Sequence, residues 1–194
     1  MIKDVIHYSY LKIKYFFRLR KSRGFGIHSP FVFHLVTQVI KGKHLFYVFD
    51  LLDDAFSKYN YRDVKYAKIV YRIINDLNIK FVYCKSKSFA CDRLICDNAD
   101  LKYNFIDEIG MSTEGYKVIY AGDDDLVELL KEETIASFKK SKTLVVLNEM
   151  YKCDKTLNAY LSLKDECNMS IDMFYRGLLF FDEKLQKGEY SIKI

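Results

Sequence analysis

Proline occurs once and glycine eight times in this 194-residue chain, while half of its residues are hydrophobic and 16% are aromatic. Such a composition excludes a disordered tail and points to one ordered globular domain, long enough to bury one substantial core. No uninterrupted apolar stretch opens the chain, since Lys12 and Lys14 break up the segment from Val5 to Phe17, and no run approaches the length of a membrane span. The expectation is a soluble, cytoplasmic protein. Cysteines stand at 84, 91, 96, 153 and 167, an odd number without a C-x-x-C pair, so neither a disulfide framework nor a zinc ribbon is signalled. Core thiols are expected. A metal cluster of Cys84, Cys91 and Cys96 would lack a fourth ligand at a suitable spacing. Repeats, low-complexity tracts and linkers that would divide the domain are missing too.

Charge is present but unevenly placed. The formal net charge is +5, yet residues 1–44 hold nine Lys or Arg against Asp4 alone, a surplus of eight that leaves −3 for the rest. Ile2, Val5, Ile6, Ile13, Phe16 and Phe17 recur at helical spacing, with Lys3, His7, Tyr10, Lys14, Arg18 and Lys21 on another face. The basic stripe reads as a solvated face, or as a contact for nucleic acid or an anionic surface.

The stretch RGFGIHSPFVFHLV, from Arg23 to Val36, reads as a stop and a start. Gly24 and Gly26 permit a sharp turn of positive φ, Ser29 caps the next helix, and Pro30 suits its first position. Phe31, Leu35, Val36 and Val39 supply that helix's buried face, while His28 and His34 are expected to anchor the turn and pack locally. As a nucleotide fingerprint the lone G-x-G is weak, lacking a third glycine and a preceding strand. Two further helices are expected over Asp50–Phe56 and Val64–Asn75.

From Lys80 the period changes. KFVYC, RLICD, YNFID, YKVIYAG and KTLVVLNEM read as strands, the last after a helix from about Asp125 to Lys139, and runs such as LVVL suit a parallel sheet covered on both faces. A helix near Lys155–Glu166 leads to SIDMFYRGLLFF and the final EYSIKI, which read as a closing antiparallel pair. The order argues α/β, with a helical segment over 1–78 packed on a sheet core over 79–194 in one compact domain.

The IHSPFVF combination and the closing SIDMFYRGLLFFDEKLQKGEYSIKI resemble a group of bacterial class I S-adenosylmethionine-dependent methyltransferase-like proteins, best known from Bacteroidetes. Gly26, His28, Ser29, Pro30, Phe31 and Val32 match its N-terminal G-x-HSPFV motif, and Ile171, Asp172, Phe174, Gly177, Leu178, Phe180 and Phe181 its C-terminal one. The resemblance implies a Rossmann-like methyltransferase sheet, mostly parallel with an antiparallel C-terminal pair, and here shortened. It also implies S-adenosylmethionine as cofactor and a small or macromolecular methyl acceptor. Cofactor-binding positions by this resemblance are Tyr83, Cys84 and Ser86 after the first strand, Asp97 at the end of RLICD, and Gly122 and Asp123 after the fourth strand. Asn148 and Glu149, after the fifth, fall where a carboxylate pair would bind a metal or take a substrate proton, with no histidine near them in sequence.

The middle of the chain departs from the family. No glycine occurs from Asn78 to Ile109, so the glycine loop that admits the methionine part of the cofactor is replaced by Tyr83, Cys84, Lys85, Ser86, Lys87 and Ser88. Asp107, after YNFID, rivals Asp97 as the ribose-binding acid, and strands between Cys84 and Tyr116 are either joined by short turns or reduced by one. Asp123 to Asp125 also suit the cap of the helix at Leu126. Two functions stay open: a minimised methyltransferase, for which positioning of two reactants is the main demand, and a non-enzymatic interaction module. In the second, Lys3, Lys14, Arg18 and Lys21 meet an acidic partner, nucleic acid or an anionic surface.

Overall fold

The computed structural model describes residues 9–13, 15, 26–42, 45–84, 86–99, 104–106, 115–122 and 125–194. Residues 9–13 and 15 are helical. Ile13, expected on the apolar stripe, is exposed, and the buried contact is made by Tyr15, whose ring lies 5.1 Å from that of Phe174 and whose hydroxyl accepts the Ile194 N–H at 2.8 Å. The cations Lys3, Lys14, Arg18 and Lys21 lie outside the described residues.

The turn at Gly26 has the expected positive φ of 74°, and the Ser29 side chain accepts the Val32 N–H to start α1 (Pro30–His34) with proline in its first turn. This helix widens into a π-helical turn (Leu35–Ile40), in which Lys41 N–H reaches back five residues to the Val36 carbonyl at 3.2 Å. His34 does not pack locally: its Nε2 meets the Asp76 carboxylate at 3.0 Å, 42 positions away. The Asp50–Phe56 helix is two short ones, α2 (Tyr47–Leu51) and α3 (Asp53–Phe56). The next, α4 (Tyr61–Asp76), starts on the Asn60 side chain, which accepts the Arg62 N–H, and buries Tyr66, Ile69, Val70, Ile73 and Ile74.

Strand β1 (Phe81–Cys84) follows, but RLICD is not the next strand; it lies in α5 (Ala90–Asn98). Its buried residues are Cys91, Asp92, Ile95 and Cys96, a helical spacing that a reading based on β-formers passes over. The second strand is β2 (Asn104–Ile106), from YNFID, and β3 (Lys117–Ala121) comes after it. The helix predicted over Asp125–Lys139 breaks into α6 (Leu126–Leu129) and α7 (Glu132–Lys140). In one continuous helix, Phe138 would stand roughly 180° around the axis from Leu129 at about 100° per residue. The extended Lys131 realigns them, so that both are buried in the same cluster against the sheet.

Strand β4 (Thr143–Asn148), helix α8 (Asp154–Glu166) and strands β5 (Met169–Asp172), β6 (Arg176–Phe181) and β7 (Gly188–Ser191) complete the chain. The sheet order is β2-β1-β3-β4-β6-β5-β7. Strands β2, β1, β3 and β4 are parallel, β6 runs against both β4 and β5, and β7 joins β5 in parallel. The fold is therefore α/β and Rossmann-like, mostly parallel with an antiparallel C-terminal pair. That pair, β5–β6, lies within residues 169–181, and the final EYSIKI, expected as its antiparallel member, instead joins β5 in parallel.

Alternation along the strands sends Val82, Val118, Tyr120, Val146 and Phe180 to the face covered by α1 and α4. Tyr83, Ile119, Val145, Leu179 and Phe181 face α6, α7 and α8. Segments from the two ends of the chain meet here, with the Phe31 ring edge-on to Phe180 at 5.6 Å. Gly177 is required by space, since a Cβ there would collide with Met150 Sδ and approach the Tyr160 ring at 3.1 Å. Asp172 accepts the Phe174 N–H at 2.7 Å, holding the turn in which Phe174 has φ of 71°. Among the described residues, no helix is long and apolar enough to cross a membrane.

Candidate functional site

In open α/β sheets, ligands bind beyond the carboxyl ends of the strands where the connections diverge. Here the chain passes from β1 to β2 on one side and then to β3 on the other. The crevice between the ends of β1 and β3 is thus the candidate site. Its rim consists of Ser86 and Ser88 after β1, Gly122 after β3, and Asn148 and Glu149 at the end of β4.

Gly122 is where the backbone offers a ligand the closest approach, and two serines already use it. A Cβ on Gly122 would collide with Ser86 Oγ and come within 2.6 Å of Ser86 Cβ and 3.0 Å of Ser88 Oγ. The two hydroxyls bond each other at 2.8 Å, and Ser88 N–H donates to Ser86 Oγ at 3.2 Å. Gly122 N–H donates to the Asp125 carboxylate at 3.1 Å, while Asp125 N–H returns to the Gly122 carbonyl at 3.0 Å. Asp125 thus turns back on the glycine and makes no side-chain cap to α6. The Gly122 cradle does not fit a close-approaching cofactor as it stands, because neighbouring side chains fill it and its amide is bonded.

Beneath the rim lies a buried polar network. Arg176, at the start of β6, forms two hydrogen bonds to Asp92 on α5, at 2.5 and 2.6 Å, and both side chains are buried. The guanidinium sits 5.3 Å from the centroid of Phe89, and the Phe89 ring lies 5.0 Å from that of Tyr120. Burial pushes the Asp92 carboxyl up, and the guanidinium beside it opposes the shift. The Tyr120 phenol is likewise driven upward by burial.

Tyr83 and Cys84 point into the core from β1, and burial pushes the Cys84 thiol up to about 12. Asp97 is corrected in place: it is not at a strand end but on the outside of α5, about half exposed, in an i,i+4 pair with Arg93 at 3.7 Å. Asp123 and the rival Asp107 lie outside the described residues. Asn148 Nδ2 donates to the Ser88 carbonyl at 3.4 Å, tying β4 to the serine turn. Glu149 has a left-handed φ of 47°, and its N–H donates to the Tyr175 carbonyl at 2.6 Å. Its two carboxylate oxygens face Arg62 at 3.0 Å and Lys152 at 3.5 Å, and Arg62 stacks 4.6 Å from the Tyr175 ring centroid. What this geometry provides at Glu149 is an ion-paired anchor between α4 and the β5–β6 turn.

Ser86, Gly122 and Asn148, named from the sequence, lie near one another at the strand ends, and the sequence reading missed Asp92, Phe89, Tyr120 and Arg176. One signal was legible: a carboxylate inside an apolar helical stripe and an arginine heading an apolar strand each need a buried partner. Cys91, Cys96 and Cys167 are buried as expected of core thiols, but Cys153 is exposed at the start of α8. Among the described residues no cluster of His, Cys, Asp and Glu could hold a metal ion. No family model, curated protein or solved structure matches this chain.

Proposed function

We propose that the chain is a class I methyltransferase-like protein whose sheet now serves as a non-enzymatic binding module. The observation carrying this reading is the closure of Ser86 and Ser88 onto Gly122, above a core made of Phe89, Tyr120 and the Asp92–Arg176 pair. The methyltransferase part is supported by the parallel run β2-β1-β3-β4 followed by the antiparallel pair β5–β6, and by the contact of Phe31 with Phe180. An anionic partner, whether an acidic protein, nucleic acid or an anionic surface, is favoured by the surplus of cations in residues 1–44.

Calorimetric titration with S-adenosylhomocysteine tests the reading. A folded protein that gives no heat at millimolar ligand agrees with it. Micromolar binding would overturn it and restore S-adenosylmethionine as cofactor, with Asn148 and Glu149 as residues to examine for the acceptor.

A further inference from the structure

A second concavity lies away from the strand ends, on the outer face of α4. Tyr61, Lys65, Lys68 and Arg72 recur at spacings of four, three and four residues, so they share one side of the helix. With the end of the π-helical turn and the segment around Lys193, they line a cleft of about 650 Å³, the volume of a small-molecule site. Val64 and Ile69 form part of its apolar wall.

Its side-chain charges are of one sign. Lys65, Lys68 and Arg72 line it, Lys41 and Lys193 add charge at its edge while making other contacts of their own, and no Asp or Glu is among the lining residues. The two acids of α4 are engaged elsewhere, Asp63 by Arg62 at 3.3 Å and Asp76 by His34 at 3.0 Å. The cations are also held in position. Lys68 Nζ stands 4.6 Å from the Phe56 ring centroid and 5.2 Å from that of Phe49, and Arg72 donates to the Ile40 carbonyl at 3.3 Å. Arg72 Nε is buried with no hydrogen-bond partner, an orphaned donor among the described residues. From Lys65 to Arg72 the helix rises about 10 Å, a span that suits a chain of phosphates better than a single one. Beside them the Tyr61 ring is 80% exposed, a flat apolar face at the edge of a cationic cleft.

We infer that this cleft binds an organic polyphosphate of the nucleotide class, its phosphates along Lys65, Lys68 and Arg72 and its base against Tyr61. The inference does not depend on whether the strand ends hold a cofactor. S-adenosylhomocysteine carries no phosphate, so its titration does not draw on Lys65, Lys68 and Arg72, and the effect of their substitution separates the two sites.

The test is calorimetric titration of the full chain with ATP, inorganic triphosphate, adenosine and a short single-stranded oligonucleotide. ATP is expected to bind in the micromolar range, more weakly as salt rises, and at least about tenfold more tightly than either inorganic triphosphate or adenosine alone. Lys65→Glu and Lys68→Gln, made separately, are each expected to weaken ATP binding about tenfold while far-UV circular dichroism is unchanged. Undiminished affinity in both folded variants would overturn the inference. Equal affinity for triphosphate and ATP would remove the base from it and overturn the nucleotide class. An oligonucleotide that binds more than about tenfold tighter than ATP per site would assign the cleft to nucleic acid instead.

Discussion

Arg176→Met is the perturbation that most directly separates a filled crevice from an open one. Arg176 and Asp92 are both buried and share two hydrogen bonds of 2.5 and 2.6 Å, so removing the guanidinium strands the Asp92 carboxyl among Phe89, Tyr120 and Cys96. Loss of one partner of such a buried pair costs about 3–5 kcal/mol. Against a total stability of about 5–15 kcal/mol this is a large fraction, and it lowers the unfolding midpoint by roughly 6–20 °C. The double variant Asp92→Leu/Arg176→Met has no charge left to strand and recovers most of the loss, or exceeds the parent by about 1–4 kcal/mol. Urea unfolding followed by far-UV circular dichroism suits a chain without tryptophan. A coupling energy near 3 kcal/mol in the double-mutant cycle is expected. A single variant that loses under about 1 kcal/mol, or two losses that simply add, would mean that water reaches this pair and that the crevice is not closed.

The Gly122 packing predicts that Gly122→Ala costs about 1–3 kcal/mol as an overpacked site, and that Ser86→Gly in the same chain restores much of it; thermal unfolding of the two variants reads this, and a harmless Gly122→Ala would refute the packing. The buried thiols predict alkaline weakening. Burial raises Cys84 and Cys167 from 9.0 to about 12, so both states keep the proton below pH 9 and their contribution is complete there. Between pH 9 and 12 the unfolded thiols ionise first, and each group removes up to about 1.4 kcal/mol of stability per pH unit. Urea midpoints measured from pH 8 to 11 should fall, and a flat profile would contradict the burial. At pH 8 a thiol reagent should modify Cys153 quickly and the other four only on unfolding.

Local signals were readable without the fold. Ser29 before Pro30 and the strands β3 and β4 rest on interactions within a few positions and stand where the sequence placed them, whereas α4, expected from Val64, starts three residues earlier, at Tyr61 after Asn60. RLICD misled because β-forming residues outweighed a helical spacing that was also present, and one strand expected before YNFID is missing as a result. Of the candidate site, Ser86, Gly122 and Asn148 were legible from the resemblance. Its closure was not, because a serine turn collapsing on a glycine depends on how the ends of β1 and β3 meet.

The sequence by itself determined the start of α1 at Ser29 and Pro30 and the positions of β1, β3 and β4, since caps and alternation act over short range. Tertiary structure alone decided which charges are buried and which line a cleft. Asp92 finds Arg176 across 84 positions and His34 finds Asp76 across 42, and nothing in the neighbouring residues of either names its partner. The cations of α4 become a cleft only when the π-helical turn and the Lys193 segment close beside them. Ion pairs and cavities are made by long-range packing, which the periodicity of a single segment does not carry.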